Sequence, residues 1–109
     1  MRTLRFIVDK QIIKQDPNCD FSNLFPGTEG YLQAEFSFSP EWKDCVKVAA
    51  FYSPMGRELP PQELRDGRTC IIPTEALEYS AFKIRVFGRK KDFKITTDKI
   101  VVLQKGSVK

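Results

Sequence analysis

Histidine is absent from this chain. That removes the commonest general base and the commonest metal ligand. Cysteine is scarce and odd in number: Cys19, Cys45 and Cys70, with no C-x-x-C spacing. A disulfide framework wants an even count, and a zinc site wants closely spaced ligand pairs. Free thiols are expected, with Cys45 and Cys70, which adjoin strand-like runs, packed as small hydrophobes. No G-x-x-x-x-G-K-[ST] or G-x-G-x-x-G loop is there to cradle a phosphate. No apolar run approaches the roughly 20 residues that cross a bilayer. The N-terminal "MRTLRFIVDKQII" lacks the long apolar stretch and the small-residue cleavage site of a signal peptide. The expectation is a non-enzymatic protein without metal, cofactor or membrane span, made in the cytoplasm and leaving it only within an assembly or by lysis.

What remains is bulk and alternation. The 109 residues have the size of one domain, spanning 1–109. Nine Phe, three Tyr and one Trp supply enough apolar area for a core, despite 29% charged residues. The net charge of +4 is mildly basic. It permits a nucleic-acid or acidic partner without demanding one. The 14 carboxylates allow many accidental pairs, so pairing alone carries no catalytic signal.

Strand patterns dominate. In "RTLRFIVD" (2–9), Leu4, Phe6 and Val8 share one face. "QIIKQ" (11–15) pairs with that run or continues it. "YLQAEFSF" (31–38) sets Leu32, Ala34, Phe36 and Phe38 against Gln33, Glu35 and Ser37. "CVKVAAFY" (45–52) is read with Val46, Val48 and Ala50 inward. Asp66-Gly67 is a two-residue hairpin signal. "FKIRVFG" (82–88) alternates Phe82, Ile84 and Val86 with Lys83, Arg85 and Phe87. "RKKD" (89–92) reads as a polar turn, and "FKITTDKIVVLQK" (93–105) as strand with a bend near Thr97-Asp98. The best helix is "PTEALEYS" (73–80), two turns at most, with Thr74 as a possible cap. About seven strands with turn signals between them predict an all-β, small antiparallel sandwich of Ig-like type. Its core is predicted to include Leu32, Phe36, Phe38, Trp42, Val46, Val48, Ile84 and Val86. The stretch 106–109 reads as a tail.

Three features bear on interaction. The long Pro-, Gly- and Asn-containing loop over 16–30 carries Phe21, Leu24 and Phe25, which either anchor the loop to the core or face a partner. With Met55 and Leu59 of the 53–61 connector they form the candidate protein-contact set. The second feature is "FKIRVFGRKKDFK" (82–94), where Lys83, Arg85, Arg89, Lys90, Lys91 and Lys94 interleave with Phe87 and Phe93. Cations beside aromatics suit single-stranded nucleic acid, and equally suit a solvated hairpin whose lysines guard an edge. The third is Trp42. Ser39-Pro40-Glu41 is a good start for a single helical turn, which predicts the indole as a plug at one end of the sandwich.

The order of segments resembles a family of short β-rich domains from structural modules of phages and prophages of Gram-positive bacteria. The residues that carry the resemblance are "YLQAEFSFSPEWKDCVKVAAF", read as strand, Trp-Lys turn and strand; "RTCIIPTEAL", read as a Cys-x-Ile-Pro-x-Glu segment; and "FKIRVFG" with "ITTDKIVVLQKG", read as strand, Val-Phe-Gly turn and closing strand. With "IVDKQIIK" the likeness spans roughly residues 5 to 106. It implies a virion component of tail, baseplate or fibre-attachment type, a homo-oligomer that also contacts other virion proteins, and it brings no catalytic residues. The alternatives left open are a small nucleic-acid-binding β-barrel, a capsid decoration protein and a phage-encoded inhibitor of a host protein.

Overall fold

Strict alternation builds the first sheet. In β1 (Arg2–Asp9), Leu4, Phe6 and Val8 point inward and are at most 1% exposed. A turn at Lys10 and Gln11 leads back into β2 (Ile12–Gln15), antiparallel to β1, with Lys10 in the left-handed region at φ 58°. β3 (Leu32–Phe38) buries Leu32, Ala34 and Phe36. β6 (Thr69–Ile71) completes the order β2-β1-β3-β6. The computed structural model describes residues 1–105, and the tail expected over 106–109 lies outside the described residues.

The second sheet contains β4 (Val46–Tyr52), β5 (Gln62–Glu63), β7 (Ala81–Lys90), β8 (Phe93–Thr96) and β9 (Ile100–Leu103). Its order is β5-β4-β7-β8, with β9 pairing the earlier part of β7. The expected bend at Thr97-Asp98 is the break between β8 and β9. Thr97 is buried there, and its hydroxyl accepts from the Val86 N–H at 3.0 Å. The chain is all-β, with two short 3-10 turns at Pro40–Trp42 and Thr74–Glu78 and two sheets around one apolar core. This is the small sandwich that the turn spacing predicts.

Both sides of the sandwich are stitched. On one side Asp98 accepts from the Ile13 N–H at 3.0 Å, its own N–H donates to the Gln11 carbonyl, and the Gln11 side chain donates to the Thr96 carbonyl. On the other side the chain passes from β5 to β6 through a hairpin closed between Arg65 and Thr69. Asp66 and Gly67 both sit at positive φ, 52° and 67°, as the Asp-Gly signal requires. Three residues, 66–68, lie between the bridged pair rather than two.

The structure corrects several expectations. Among the described residues there are nine strands, where about seven are expected. The pairing is not wholly antiparallel, because β1 and β3 run parallel from Arg2↔Leu32 to Val8↔Phe38. The strand order accounts for the long 16–30 loop. β2 already carries the chain back level with Arg5, and the loop then crosses from the β2 side of β1 to the opposite side, where β3 starts beside Arg2. Along this crossing Leu24 enters the core at 3% exposure, and Phe21 packs edge-on against Phe6 with ring centroids 5.4 Å apart. Arg2 fixes the same segment, donating to the carbonyls of Asp20, Ser22 and Asn23.

In β4 the inward face is the opposite of the one expected. Ala49 and Phe51 are buried, while Val46 is 59% exposed and Val48 and Ala50 point outward. Both parities of this run are apolar, so alternation is ambiguous, and the register against β7 decides. Phe51 pairs with Ile84 and Ala49 with Val86, which places the bulky Phe51 ring beside Phe82. Lys47 falls on the inward parity but lies at the open end, where its Nζ sits 5.2 Å from the Phe38 ring centroid and donates to the Cys45 carbonyl.

Three local expectations also change. Gly88 lies inside β7, not in a turn, so the polar turn shrinks to Lys91 and Asp92. Thr74 is not a cap, since Pro73 holds that position and no side chain bonds the turn. Ser39 stands at the start of the first 3-10 turn, but its hydroxyl accepts from the Lys10 N–H at 2.8 Å instead of capping. Trp42 is fully buried, as expected of an end plug. Its Nε1 donates to the Lys10 carbonyl at 2.8 Å, and its ring lies 5.1 Å from that of Phe38. The slot for the indole is Gly88: a Cβ there would come within 2.7 Å of two ring carbons.

Candidate functional site

The outer faces of the two sheets differ in chemistry. On the first sheet, strand alternation turns Thr3, Arg5, Ile7, Gln33, Glu35 and Ser37 outward. Their polar groups are paired with one another. Glu35 takes Arg5 at 3.2 Å and Arg68 at 2.8 Å, and Gln33 donates to the Thr3 hydroxyl at 3.0 Å. Among the described residues, these two ion pairs at Glu35 are the only ones.

The register of β4, β7 and β8 sets the other outer face. Val46 is opposite Arg89, Val48 opposite Phe87 and Ala50 opposite Arg85, while Thr96 and Lys94 flank Phe87 and Arg89 from β8. At the far end Lys83 lies beside Val101, which is 45% exposed, and Ala81 beside Leu103, which is 70% exposed. Aliphatic side chains thus run up the middle, with cations between and around them. The upper half is concave. Val46, Val48 and Phe87 floor an open trough of about 1020 Å³, which the β7–β8 hairpin rims with Arg89, Lys90, Lys91 and Lys94. Asp92 is the one carboxylate that lines it.

This is where the cationic candidates fall. Lys83, Arg85, Arg89 and Lys94 share the outer face with Phe87. Lys91 sits at the hairpin turn, and Lys90 belongs to the inward parity, its Nζ donating to the Lys43 carbonyl at 2.9 Å. Both aromatic rings of the cluster already hold a cation. Arg85 lies 5.8 Å from the Phe87 centroid and Lys90 lies 5.1 Å from that of Phe93. Arg85 is further fixed by donation from Nε to the Thr97 carbonyl at 3.0 Å. Sequence reasoning missed the aliphatic half of this face, because it assigned Val46, Val48 and Ala50 to the core. The signal that finds them is the bulk of Phe51, which must take the inward parity.

The five protein-contact candidates separate. Leu24 is buried, and Phe21 and Leu59 pack against the core. Only Phe25, half-exposed, and Met55, 94% exposed, face solvent. Of the expected core set, Leu32, Phe36, Trp42, Ile84 and Val86 are buried, Phe38 is partly buried, and Val46 and Val48 lie outside.

Among the described residues, one buried side-chain polar atom, Gln104 Oε1, has no hydrogen-bond partner. All three cysteines are free, and Cys45 and Cys70 are buried. Burial pushes the Cys70 thiol up to about 12, so it stays protonated and poorly nucleophilic. Hydrogen bonds from the Ser22 hydroxyl and N–H hold the Asp20 carboxyl below its usual range, with Arg2 adding to the effect. The Ser39 hydroxyl does the same for Glu41. Among the described residues no group of three or more His, Cys, Asp or Glu side chains is placed to hold a metal ion, and no helix is long and apolar enough to cross a membrane. Comparison with protein-family profiles, with curated protein sequences and with solved structures finds no match to this chain.

Proposed function

We propose that this chain is a non-enzymatic structural component of a phage virion, of tail, baseplate or fibre-attachment type, that works by assembling with copies of itself and with other virion proteins. It would be made in the host cytoplasm and carried into the particle. The segments on which the resemblance rests supply the strand–turn–strand around Trp42 and the strands that frame the outer face of the second sheet. The observation that carries the proposal is that face: Val46, Val48, Ala50 and Phe87 in one apolar tract, with cations that outnumber the carboxylates Glu63 and Asp92 beside them and that make no ion pair among the described residues. An apolar tract left outward on a sandwich with its own full core is area available for burial against another protein.

Light scattering across a concentration series, with the chain alone and then with the tail and capsid proteins encoded beside it, tests the proposal. Assembly beyond the monomer, or complexes with those proteins, is the expected result. A strict monomer that binds none of them contradicts it.

A further inference from the structure

We infer that the trough between β4 and the β7–β8 hairpin is a docking site for an acidic, apolar-bearing segment of a partner protein. The inference rests on the assembly reading above and names the chemistry of the contact. The floor is Val46, Val48 and Phe87, and the rim is Arg89, Lys91 and Lys94. Among the described residues none of these rim cations is in an ion pair, in contrast to Arg5 and Arg68 on the opposite sheet, and they outnumber the two carboxylates at the trough, Asp92 in its lining and Glu63 opposite Val48. A segment that alternates apolar and acidic side chains satisfies both parts at once. Its apolar residues cover the floor, and its carboxylates reach the rim.

Two other occupants fit worse. A second copy presenting the same face would bring Lys83, Arg89 and Lys94 against their own like charges, which is unfavourable at an interface. Single-stranded nucleic acid needs open aromatic rings on which bases stack. Here Phe87 already carries Arg85 and Phe93 already carries Lys90. The rest of the floor is valine, which offers no stacking surface.

The test is an amide-shift titration of the isotope-labelled full chain with three probes. They are a short peptide alternating Glu and Leu, a poly-Glu peptide of the same length, and an oligothymidylate. The alternating peptide is expected to shift the amides of Val46, Val48, Phe87, Lys94 and Thr96, and to bind at least about tenfold more tightly than poly-Glu. Val46→Ser/Val48→Ser should erase the preference over poly-Glu, and Arg89→Gln/Lys94→Gln should weaken both peptides. Oligothymidylate shifting the same amides with equal or greater affinity overturns the inference in favour of nucleic acid. So does an alternating peptide that shifts amides elsewhere or none at all.

A companion experiment separates this inference from the reading it rests on. If the wild-type chain joins the virion proteins and Arg89→Glu/Lys94→Glu joins them equally well, the trough is not the contact and the assembly reading stands. If the wild type joins none of them, the assembly reading fails, while the titration still reads the trough.

Discussion

The outer faces of the two sheets share strand geometry but not chemistry. The first pairs its central charges, with Glu35 holding two arginines and Gln33 holding Thr3, and leaves Ile12 and Lys14 open only on its edge strand β2. The second leaves valines exposed and its cations outside any ion pair among the described residues, while its Phe87 ring is held by Arg85 and its Tyr52 ring by Lys99. Both faces cover the same core, so stability does not demand the difference. A face whose central charges are ion-paired is less suited to a partner than one with exposed valines and cations in excess over carboxylates.

Substitutions can break or sharpen this contrast. The largest effect is expected at Trp42, which lies beneath both faces and ties the β1–β2 turn to β7 through Lys10 and Gly88. Trp42→Ala should cost about 3–5 kcal/mol, measured by denaturant unfolding, and should loosen both sheets together. Gly88→Ala strikes the second sheet from the inside. Its Cβ would meet the indole at 2.7 Å, so overpacking should cost about 1–3 kcal/mol. Hydrogen exchange should then rise in β7 and β8 more than in β1. Thr97→Val removes the acceptor of the Val86 N–H at the break between β8 and β9, a loss of about 1–3 kcal/mol by the same unfolding measurement.

The faces themselves should be mild in stability and opposite in consequence. Glu35→Gln weakens two largely exposed ion pairs and should cost about 0–1 kcal/mol with no effect on assembly. Val46→Ser should stay within about 0.5 kcal/mol of wild type, yet reduce complex formation in light scattering. Equal effects of these two changes on assembly would erase the contrast.

Legibility in the sequence followed the same division. Leu32, Ala34 and Phe36 alternate with polar residues, and Leu4, Phe6 and Val8 do so apart from Ile7, so their faces read directly. Val46 to Tyr52 is apolar on both parities, so only pairing with β7 chose the face, and the aliphatic half of the candidate site was hidden by that ambiguity. The 16–30 loop read as a loop, but its length follows from the crossing between β2 and β3 on opposite sides of β1, a long-range fact no local pattern carries. Trp42 read as a plug from the Ser-Pro-Glu turn. Gly88, which makes room for it, looked like a turn residue, because what lies above a strand glycine is set by tertiary packing.

Lysine footprinting of the chain, free and in complex with its virion partners, tests the central claim most directly. Lys94 and Lys83 lie on the outer face of the second sheet and Lys14 on that of the first. Lys94 and Lys83 are expected to become protected from acylation on assembly while Lys14 labels as before. Protection of Lys14 with Lys94 and Lys83 still open would contradict it.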